Sequence, residues 1–371
     1  MRYFFSTGEA SGELAAVVLA RAIREFDPDA RFEGIGAQRM RDAGFALWRE
    51  NTGWASFGPF AAIPRIPKLA LAALSTVAHL RRDSPDAVVL IDFGAFNVRL
   101  AQRLRRAGYR GAIVDVFPPG AWLDSVRTAR AVTSVALALS AFEHQYRFYR
   151  ANGLPAAYFG HPLAPGYAMR QPRPAPPADG GTIAILPGSR PAELRHHGDL
   201  VMHAFTALRR ARPHVRGVVG APNERAQREL RRAAQRARAG DLRFEHGTAA
   251  AIADADAALV ASGTAVLECA LSGVPSVAFY VVSRALARYV RRVYSRKFYT
   301  LPNLVLDREI VPELMQERAT PQALADALDA VLADPQRQYG ELRRLREALG
   351  PADALERCAA FIVAAARGAA A

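Results

Sequence analysis

Leu186-Pro-Gly-Ser-Arg190 and Ser262-Gly-Thr-Ala-Val-Leu-Glu268 are the two stretches that decide the fold of the second half of this chain. Each follows a short apolar run typical of a strand, at 182–186 and 257–261, and each leads into a helix-like run. A strand, a turn of small residues and a helix N-terminus together form an anion site, because backbone N–H groups and the helix dipole point at one spot.

Two charged side chains give these loops a more specific interpretation. Arg190 carries a planar set of donors that suits a phosphate group. Glu268 comes about one helical turn after the glycine of its loop, where a carboxylate can accept hydrogen bonds from two ribose hydroxyls. The pair of loops therefore predicts a site for a nucleoside diphosphate.

The rest of the chain alternates in the same way between short β-rich runs and helical patterns, which is typical of parallel βαβ units. This pattern predicts an α/β protein with two Rossmann-like parallel-sheet domains and a cleft between them, where ligands lie beyond the carboxyl ends of the strands. The predicted strands are 3–6, 87–92, 112–116, 135–139, 157–159, 182–186, 215–220, 257–261 and 276–280.

A proline-rich segment interrupts the alternation near the middle of the chain and is interpreted as a linker. The domains are therefore predicted as residues 1–164 on the acceptor side, a linker at 165–181 and a nucleotide-binding domain at 182–345. The Ala/Leu/Arg-rich tail at 346–371 is expected to be helical and to pack across the cleft or in a dimer.

Composition limits the class of protein. The 371 residues, of which 51% are hydrophobic, suffice for two cores, and two cysteines are too few for a disulfide framework or a cysteine-based zinc site. No signal peptide and no apolar run of about 18 residues is recognised, so a cytoplasmic protein is expected. The net charge of +14 indicates an anionic partner or a general arginine bias, but no nucleic-acid motif accompanies it.

Three stretches of the first half carry candidate site residues. Thr7-Gly-Glu-Ala-Ser-Gly-Glu13 is either a ligand-binding loop or a plain turn between a strand and a helix. Asp92 and Asn97 follow a buried strand, where a general base is expected, although Asp92 alternatively caps a helix. His161, in Phe159-Gly-His-Pro162, is either a phosphate or sugar contact or a structural histidine.

Two further stretches bear on metals and membranes. Asp254-Ala-Asp256 matches the D-x-D pattern of metal-dependent glycosyltransferases but is interpreted as a solvated turn, and no other cluster has the spacing of metal ligands. Without a metal, helix dipoles and arginine must stabilise a leaving diphosphate. The apolar run at 61–74, which continues to Arg82 with basic flanks, is either a bilayer-contacting helix or a buried one.

The chain resembles the lipid-A-disaccharide synthases, a family of GT-B glycosyltransferases of bacterial outer-membrane biosynthesis, over nearly its full length. The order and spacing of six pieces carry the resemblance. They are Gly8-Glu-Ala-Ser-Gly12, Ile91-Asp92 with Phe96-Asn97, Phe159-Gly-His161, Leu186-Pro-Gly-Ser-Arg190, Ser262-Gly-Thr-Ala-Val-Leu-Glu268 and Leu301-Pro-Asn-Leu304.

The resemblance implies a GT-B architecture and transfer of 2,3-diacylglucosamine from its UDP derivative to 2,3-diacylglucosamine 1-phosphate, with release of UDP and inversion at the anomeric carbon. It also implies no tightly bound metal or other cofactor, peripheral contact with the inner face of the cytoplasmic membrane, and a homodimer. The implied UDP-sugar contacts are Gly188, Ser189, Arg190, Ser262, Gly263, Thr264, Glu268 and Asn303, with the basic run near Arg296. The implied acceptor contacts are Gly8, Glu9, Ser11 and Gly12, and Asp92, Asn97, His161 and Arg190 are the candidate catalytic residues.

The departures from the family pattern lie in the acceptor half. The family reads I-D-x-P-D-F-N, and its second aspartate, the candidate base, is replaced here by Ala95, with Gly94 in place of the proline. Glu13 replaces an aspartate, and Pro118-Pro-Gly-Ala-Trp-Leu-Asp124 keeps one tryptophan of a P-x-V-W-A-W-R segment. Asp92, Glu9, Glu13 and Asp124 are the alternative bases. A homologue that binds without transferring, and another UDP-sugar transferase or 2-epimerase, remain open alternatives.

Overall fold

The computed structural model describes residues 1–54, 63–119, 125–171, 180–240, 242–294 and 296–368. Residues 1–166 together with 349–371 form one compact unit, and residues 167–348 form the second. Each unit contains one parallel sheet, which confirms the predicted fold class. Among the described residues, no helix combines the length and the hydropathy that crossing a bilayer requires.

The strands and helices are numbered separately in chain order. The strands are β1 (Arg2–Thr7), β2 (Arg31–Gly36), β3 (Ala46–Glu50), β4 (Ala87–Ile91), β5 (Ala112–Val116), β6 (Leu137–Ser140), β7 (Ala157–Tyr158), β8 (Thr182–Leu186), β9 (Arg216–Ala221), β10 (Leu242–His246), β11 (Ala257–Ala261), β12 (Ser276–Tyr280) and β13 (Glu313–Met315).

The helices alternate with these strands in each unit. The α-helices are α1 (Ala10–Phe26), α2 (Gln38–Asp42), α3 (Ile66–Asp83), α4 (Gly94–Arg106), α5 (Val126–Thr133), α6 (Glu143–Ala151), α7 (Pro191–Ala211), α8 (Glu224–Ala237), α9 (Gly247–Ile252), α10 (Thr264–Leu271), α11 (Arg284–Val293), α12 (Leu301–Leu306), α13 (Pro321–Ala333), α14 (Pro335–Ala348) and α15 (Ala354–Ala366). Short 3₁₀ turns occupy Ile63–Arg65, Ala164–Gly166 and Gln316–Arg318.

Both sheets follow the doubly wound order. The first sheet runs β3-β2-β1-β4-β5-β6-β7, and the second runs β10-β9-β8-β11-β12-β13. In each case the chain starts in the middle, builds outwards to one edge and then returns to the other side of its first strand. The strand order therefore reverses between β1 and β4 in the first unit and between β8 and β11 in the second, which are the positions where such sheets bind ligands.

The sequence pattern predicts the central strands better than the outer ones. All nine predicted runs correspond to strands, whereas β2, β3, β10 and β13 were not predicted. Of these, β3, β10 and β13 are edge strands, which carry little apolar signal. The strand β2 contains two glycines, and Gly34 is needed because a Cβ there would lie 2.3 Å from the carbonyl oxygen of Phe5.

The C-terminal helix belongs to the first unit, although the sequence predicted a separate tail. The helix α15 buries Ala354, Cys358, Ala359, Ile362 and Val363, and it packs on α1, β4 and β5. Near the unit boundary, Gly350 lies so close to Gly160 that a Cβ would come within 2.5 Å of the Gly160 Cα. Part of the predicted linker, at 172–179, lies outside the described residues.

Candidate active site

The two loops that predict a nucleotide site lie side by side in the second unit. Their strands β8 and β11 are hydrogen-bonded neighbours, and Leu186, the last residue of β8, is in register with Val260. Both loops therefore leave the sheet at its carboxyl edge and at the same height. This is the point at which the strand order reverses, so the topology brings together the residues that the sequence could only list.

A buried glutamate organises the loop before α7. Glu193 accepts hydrogen bonds from the backbone N–H groups of Ser189 (2.9 Å) and Arg190 (3.1 Å). The Arg190 guanidinium donates to the same carboxylate at 2.7 Å, and the Tyr280 hydroxyl donates to it at 2.8 Å. Burial alone raises the pKa of Glu193, but the charge of Arg190 and these donors outweigh it, so that the pKa lies below its usual value.

This arrangement differs from the open anion site that the sequence predicts. The sequence predicts open donors at the loop N–H groups, but those of Ser189 and Arg190 already donate to the Glu193 carboxylate. An entering phosphate must therefore share these donors or displace Glu193, while the carboxylate holds the arginine side chain in place. The sequence does contain a signal for Glu193, because a glutamate three residues after a helix N-cap forms a capping box.

His197 ties the same loop to the next strand. Its Nδ1 lies 2.7 Å from the carbonyl oxygen of Pro187, and its Nε2 lies 3.0 Å from the carbonyl oxygen and 3.1 Å from the backbone nitrogen of Val281. Burial lowers the pKa of this imidazole and keeps the ring neutral. The histidine therefore fixes the loop after β8 against the end of β12, a role that sequence reasoning did not find.

The second loop presents a helix N-terminus without a side-chain cap. Gly263, at the N-cap of α10, is exposed, and the Ser262 hydroxyl donates to the carbonyl oxygen of Tyr299 (3.5 Å). Thr264 begins the helix, and Glu268 lies one turn further along it, where it is half-buried. This geometry agrees with a backbone contact to phosphate at Gly263 and a ribose contact at Glu268.

Asn303 occupies a different kind of position from the other predicted donor contacts. Its amide donates to the Val311 carbonyl and to Glu313, and its oxygen accepts the N–H groups of Ile310 and Val311, all at 2.8–2.9 Å. The side chain is fully buried. In this structure Asn303 therefore fastens α12 to the segment before β13, and its predicted contact with the donor stays a prediction.

At the reversal point of the first unit, Asn97 joins the ends of β1 and β4. Its oxygen accepts the Ser6 hydroxyl (2.7 Å), and its amide donates to the carbonyl oxygens of Asp92 (2.7 Å), Ser6 and Ile91. The side chain is completely buried. Asn97 thus shapes the loop that carries Asp92, and the catalytic role predicted for it stays a prediction.

The acceptor loop packs tightly against the loop after β4. A Cβ at Gly8 would lie 2.2 Å from the Phe93 ring, so only glycine allows this approach. Glu9 and Ser11 are half-buried at the start of α1, whereas Gly12 is buried beneath them. The predicted acceptor contacts thus surround one helix N-terminus, next to the loop that carries Asp92.

Asp92 is the most accessible of the candidate bases among the described residues. It is exposed, and Asp92 (φ 50°) and Phe93 (φ 48°) both adopt left-handed backbone conformations, which aspartate tolerates and which are unfavourable for phenylalanine. Glu13 is buried, and burial raises its pKa despite hydrogen bonds from Ala37, Asn51 and Met40. Asp124 lies outside the described residues.

His161 lies in the interior of the first unit. Its ring is 2% exposed, contacts Phe117 and Phe142, and accepts the N–H of Leu163 at Nδ1 (3.3 Å). Its backbone N–H donates to the Leu349 carbonyl (2.7 Å). Burial lowers the pKa of His161 to about 3. The ring is therefore neutral, and its predicted contact with a substrate stays a prediction.

A second aspartate lies buried beside Asp92. Asp115 is 1% exposed on β5, and neither of its carboxyl oxygens has a hydrogen-bond partner among the described residues. Burial, together with the charge of Asp92, raises the pKa of Asp115 well above its usual value. Burial thus favours the neutral, protonated form of the Asp115 carboxyl group.

The described residues contain one group with the composition of a metal site, Glu33, His79 and Asp83. Glu33 lies 2.7 Å from Nε2 of His79, and Asp83 lies 3.2 Å from its Nδ1, so the two carboxylates face different nitrogens of one ring. A single ion on one of the two nitrogens could not also reach the carboxylate that faces the other nitrogen.

In the D-x-D stretch, the second aspartate has a structural contact. Asp256 accepts the N–H of Thr182 (2.8 Å) at the amino edge of the sheet.

Comparison with known proteins decides the family. Residues 3–358 match the family model described as lipid-A-disaccharide synthetase. The lipid-A-disaccharide synthase of Azotobacter vinelandii is 35% identical over 343 residues, covering 90% of both chains, and that of Pseudomonas aeruginosa is 32% identical over 357 residues, covering 94% of both. The chain belongs to the lipid-A-disaccharide synthase family. It is thus a member of a family of glycosyltransferases.

Solved structures show the fold alone. A UDP-GlcNAc 2-epimerase from Neisseria meningitidis bound to UDP-GlcNAc has a TM-score of 0.64 at 10% identity and covers 98% of this chain and 100% of its own. MurG from Acinetobacter baumannii has a TM-score of 0.53 at 16% identity, with 98% and 99% covered. Because the family match is so much closer, the 2-epimerase and the non-catalytic homologue are not favoured.

Proposed function

We propose that this protein transfers 2,3-diacylglucosamine from its UDP derivative to the 6-hydroxyl of 2,3-diacylglucosamine 1-phosphate. The product is a β-1′,6-linked disaccharide, and UDP leaves. The observation that carries the proposal is the match of the family model to residues 3–358, with the family's donor loops at the reversal point of the second sheet.

The donor nucleotide is assigned to the second unit. Gly188, Ser189 and Arg190 form one side of the site, and Ser262, Gly263 and Thr264 form the other. The Arg190 guanidinium supplies positive charge for the diphosphate, and the N-terminus of α10 supplies a second favourable dipole. Glu268 accepts the ribose hydroxyls. In this scheme Glu193 acts as a stand-in anion that keeps Arg190 oriented until the diphosphate arrives.

The acceptor sugar is assigned to the first unit, at Gly8, Glu9, Ser11 and Gly12. Asp92 takes the proton from the acceptor 6-hydroxyl, whose oxygen then attacks the anomeric carbon as the bond to UDP breaks. Ala95 has no group that accepts a proton. The exposed position of Asp92 at the carboxyl end of β4 supports Asp92 as the base in its place. The left-handed conformation of the neighbouring Phe93 also supports it, since backbone strain of this kind is concentrated at functional sites.

The proposed reaction needs no metal ion. The charge that develops on the leaving UDP is stabilised by the fixed Arg190 guanidinium and by the helix N-terminus after Gly263. Turnover in the presence of EDTA, compared with turnover after addition of Mg²⁺, tests this part of the proposal. A strict requirement for Mg²⁺ would contradict it.

A surface for the membrane is proposed on α3, where the acylated substrates would be met. This helix buries Ala72, Ala73, Thr76, His79 and Leu80 on one side. On the other side, Ile63 and Ile66, with Leu71 and Leu74, are each at least 50% exposed. Exposed aliphatic groups beside Lys68 suit the headgroup boundary of an anionic bilayer, here the inner face of the cytoplasmic membrane. The proposal thus assigns the buried alternative to one face of this stretch and the bilayer-contacting alternative to the other.

The decisive experiment measures UDP release from UDP-2,3-diacylglucosamine in detergent, with and without 2,3-diacylglucosamine 1-phosphate. Release that depends on the acceptor, with formation of the disaccharide, is the expected result. Binding of the donor without release of UDP would contradict the proposal and would favour a homologue that binds the donor without transferring its sugar.

A further inference from the structure

The segment that contains α11 has an unusual charge distribution. From Cys269 to Leu306 the sequence contains six basic residues and no acidic one. Four of these basic residues lie within α11, at Arg284, Arg288, Arg291 and Arg292. A run of this length with one sign of charge produces a positive surface, which attracts an anionic partner.

The packing of α11 is equally unusual. Of the ten residues in this helix, only Ala287 is buried. Leu286, Tyr289, Val290 and Val293 follow the i, i+3, i+4, i+7 spacing of one helical face, yet Tyr289 is 39% exposed and Val293 is 43% exposed. The apolar face is thus only partly covered by the described part of the second unit.

The basic side of the helix lies next to this apolar face. Arg284, Arg288 and Arg292 form no ion pair with any described residue, whereas Arg291 lies 3.5 Å from Glu317. The helix therefore presents exposed apolar side chains between arginines whose charge is largely uncompensated.

The helix α8 of the same unit shows that arginine content alone does not produce this surface. Its Arg225 and Arg228 pair with Glu229 (3.5 Å) and Glu224 (3.6 Å), and its Arg236 pairs with Asp199 (2.6 Å). Its apolar face is buried in the core of the second unit, where it contributes Ala226, Leu230, Ala233, Ala234 and Ala237. Three arginines of α8 are thus paired and its apolar face is buried, whereas α11 has one paired arginine and an apolar face that is only partly covered.

We infer that α11 is a docking surface for an anionic phospholipid bilayer. The helix lies in the plane of the interface, with Tyr289 and Val293 at the boundary between headgroups and acyl chains and the arginines at the phosphates. A nucleic acid or an acidic protein would match the charge, but neither accounts for aromatic and aliphatic groups exposed between the arginines. The inference extends the proposed function, since a bilayer contact on the second unit is separate from that on α3.

The test compares binding of the full chain and its variants to phosphatidylcholine vesicles with and without phosphatidylglycerol, measured by co-sedimentation. Each arginine near an anionic surface contributes roughly a factor of five to the partition coefficient. The double variant Arg288→Glu/Arg292→Glu is therefore expected to weaken binding to phosphatidylglycerol vesicles by at least about 25-fold. The variant Tyr289→Ser/Val293→Ser keeps all the charges and is expected to weaken it by about tenfold.

The matched control is Arg225→Glu/Arg228→Glu on α8, which changes the net charge by the same amount. The control is expected to bind close to the wild-type level, and an equal loss in the control would reduce the effect to net charge and overturn the inference. Wild-type binding by both α11 variants would also overturn it. Weaker self-association of both variants in sedimentation velocity, with vesicle binding unchanged, would assign the surface to a second copy of the chain instead.

Turnover in detergent separates this inference from the proposed function. The variant Tyr289→Ser/Val293→Ser, which changes no basic residue, is expected to keep wild-type UDP release with detergent-dispersed substrates and to lose turnover only with substrates in vesicles. If the wild-type protein binds vesicles through α11 but releases no UDP in detergent, the docking surface stands and the proposed transferase fails.

Discussion

The two sheet reversal points have the same topology but expose different chemistry. At β8 and β11, Arg190 at the N-cap of α7 and Glu268 in α10 are half-buried, and Gly263 is exposed. At β1 and β4, Asn97 is fully buried, and His161, which follows β7 in the same unit, is nearly so. Matching motifs therefore do not imply matching accessibility. The second unit keeps its loop contacts at or near the surface, although Asn303 is buried. In the first unit, where Glu9 and Ser11 are half-buried, Asp92 is the exposed exception.

The largest effect is expected at that exception. Asp92→Asn removes the proposed base but keeps the size of the side chain, and the acceptor-dependent rate should fall by about 10²–10⁴-fold. The measurement is kcat for UDP release across pH, where the decline of the wild-type rate at acidic pH should disappear. Asp42→Asn, at an exposed carboxylate of the same unit, serves as the control. A rate within twofold of wild type would remove Asp92 from the mechanism.

The next largest effect is expected in the donor site. Arg190→Ala removes the guanidinium assigned to the diphosphate and leaves Glu193 as an uncompensated buried carboxylate. The kcat/KM for the UDP-sugar should fall by about 10²–10³-fold, because a preorganised charged donor is lost. Arg195, exposed on the same helix, gives the matched control Arg195→Ala. Equal losses of kcat/KM in Arg190→Ala and Arg195→Ala would show that the effect is not specific to the Arg190 guanidinium.

Asn97 is expected to affect stability rather than chemistry. Asn97→Ala leaves the Asp92 carbonyl and the Ser6 hydroxyl without their buried partner, which should cost about 2–4 kcal/mol of unfolding free energy. Urea unfolding measures this loss, with the exposed Arg99→Ala on the same helix as the control. A stable Asn97→Ala protein with strongly reduced turnover would instead support the catalytic role that the sequence suggested.

The effect that is smallest at neutral pH is a pH dependence that arises from His161. Its folded pKa of about 3 lies below the usual 6.5, so the stability gained from the neutral ring is complete above pH 6.5 and is lost as pH falls towards 3. The unfolding free energy should decline by up to about 1.4 kcal/mol per pH unit in this range. His161→Gln should remove that part of the slope, whereas His246→Gln, at an exposed histidine, should not. Identical slopes of unfolding free energy against pH for wild type and His161→Gln would show that burial does not hold the His161 ring in its neutral form.

The sequence by itself determined the alternation of strands and helices, the central strands of both sheets and the positions of the glycine-containing loops. These features are local, because apolar periodicity and turn residues act over a few positions. The family pattern also indicated that the donor loops are intact and that Ala95 leaves the acceptor side without its usual base.

Only the tertiary structure decided which of these residues a ligand can reach. Glu193 takes the N–H groups of Ser189 and Arg190 because four groups from the loop and from β12 converge on one buried carboxylate. Asn97 is enclosed because the ends of β1 and β4 meet over it. The exposure of Tyr289 and Val293 also follows from packing, since α8 and α11 are both rich in arginine, and only long-range contacts bury the apolar face of α8 and leave that of α11 open.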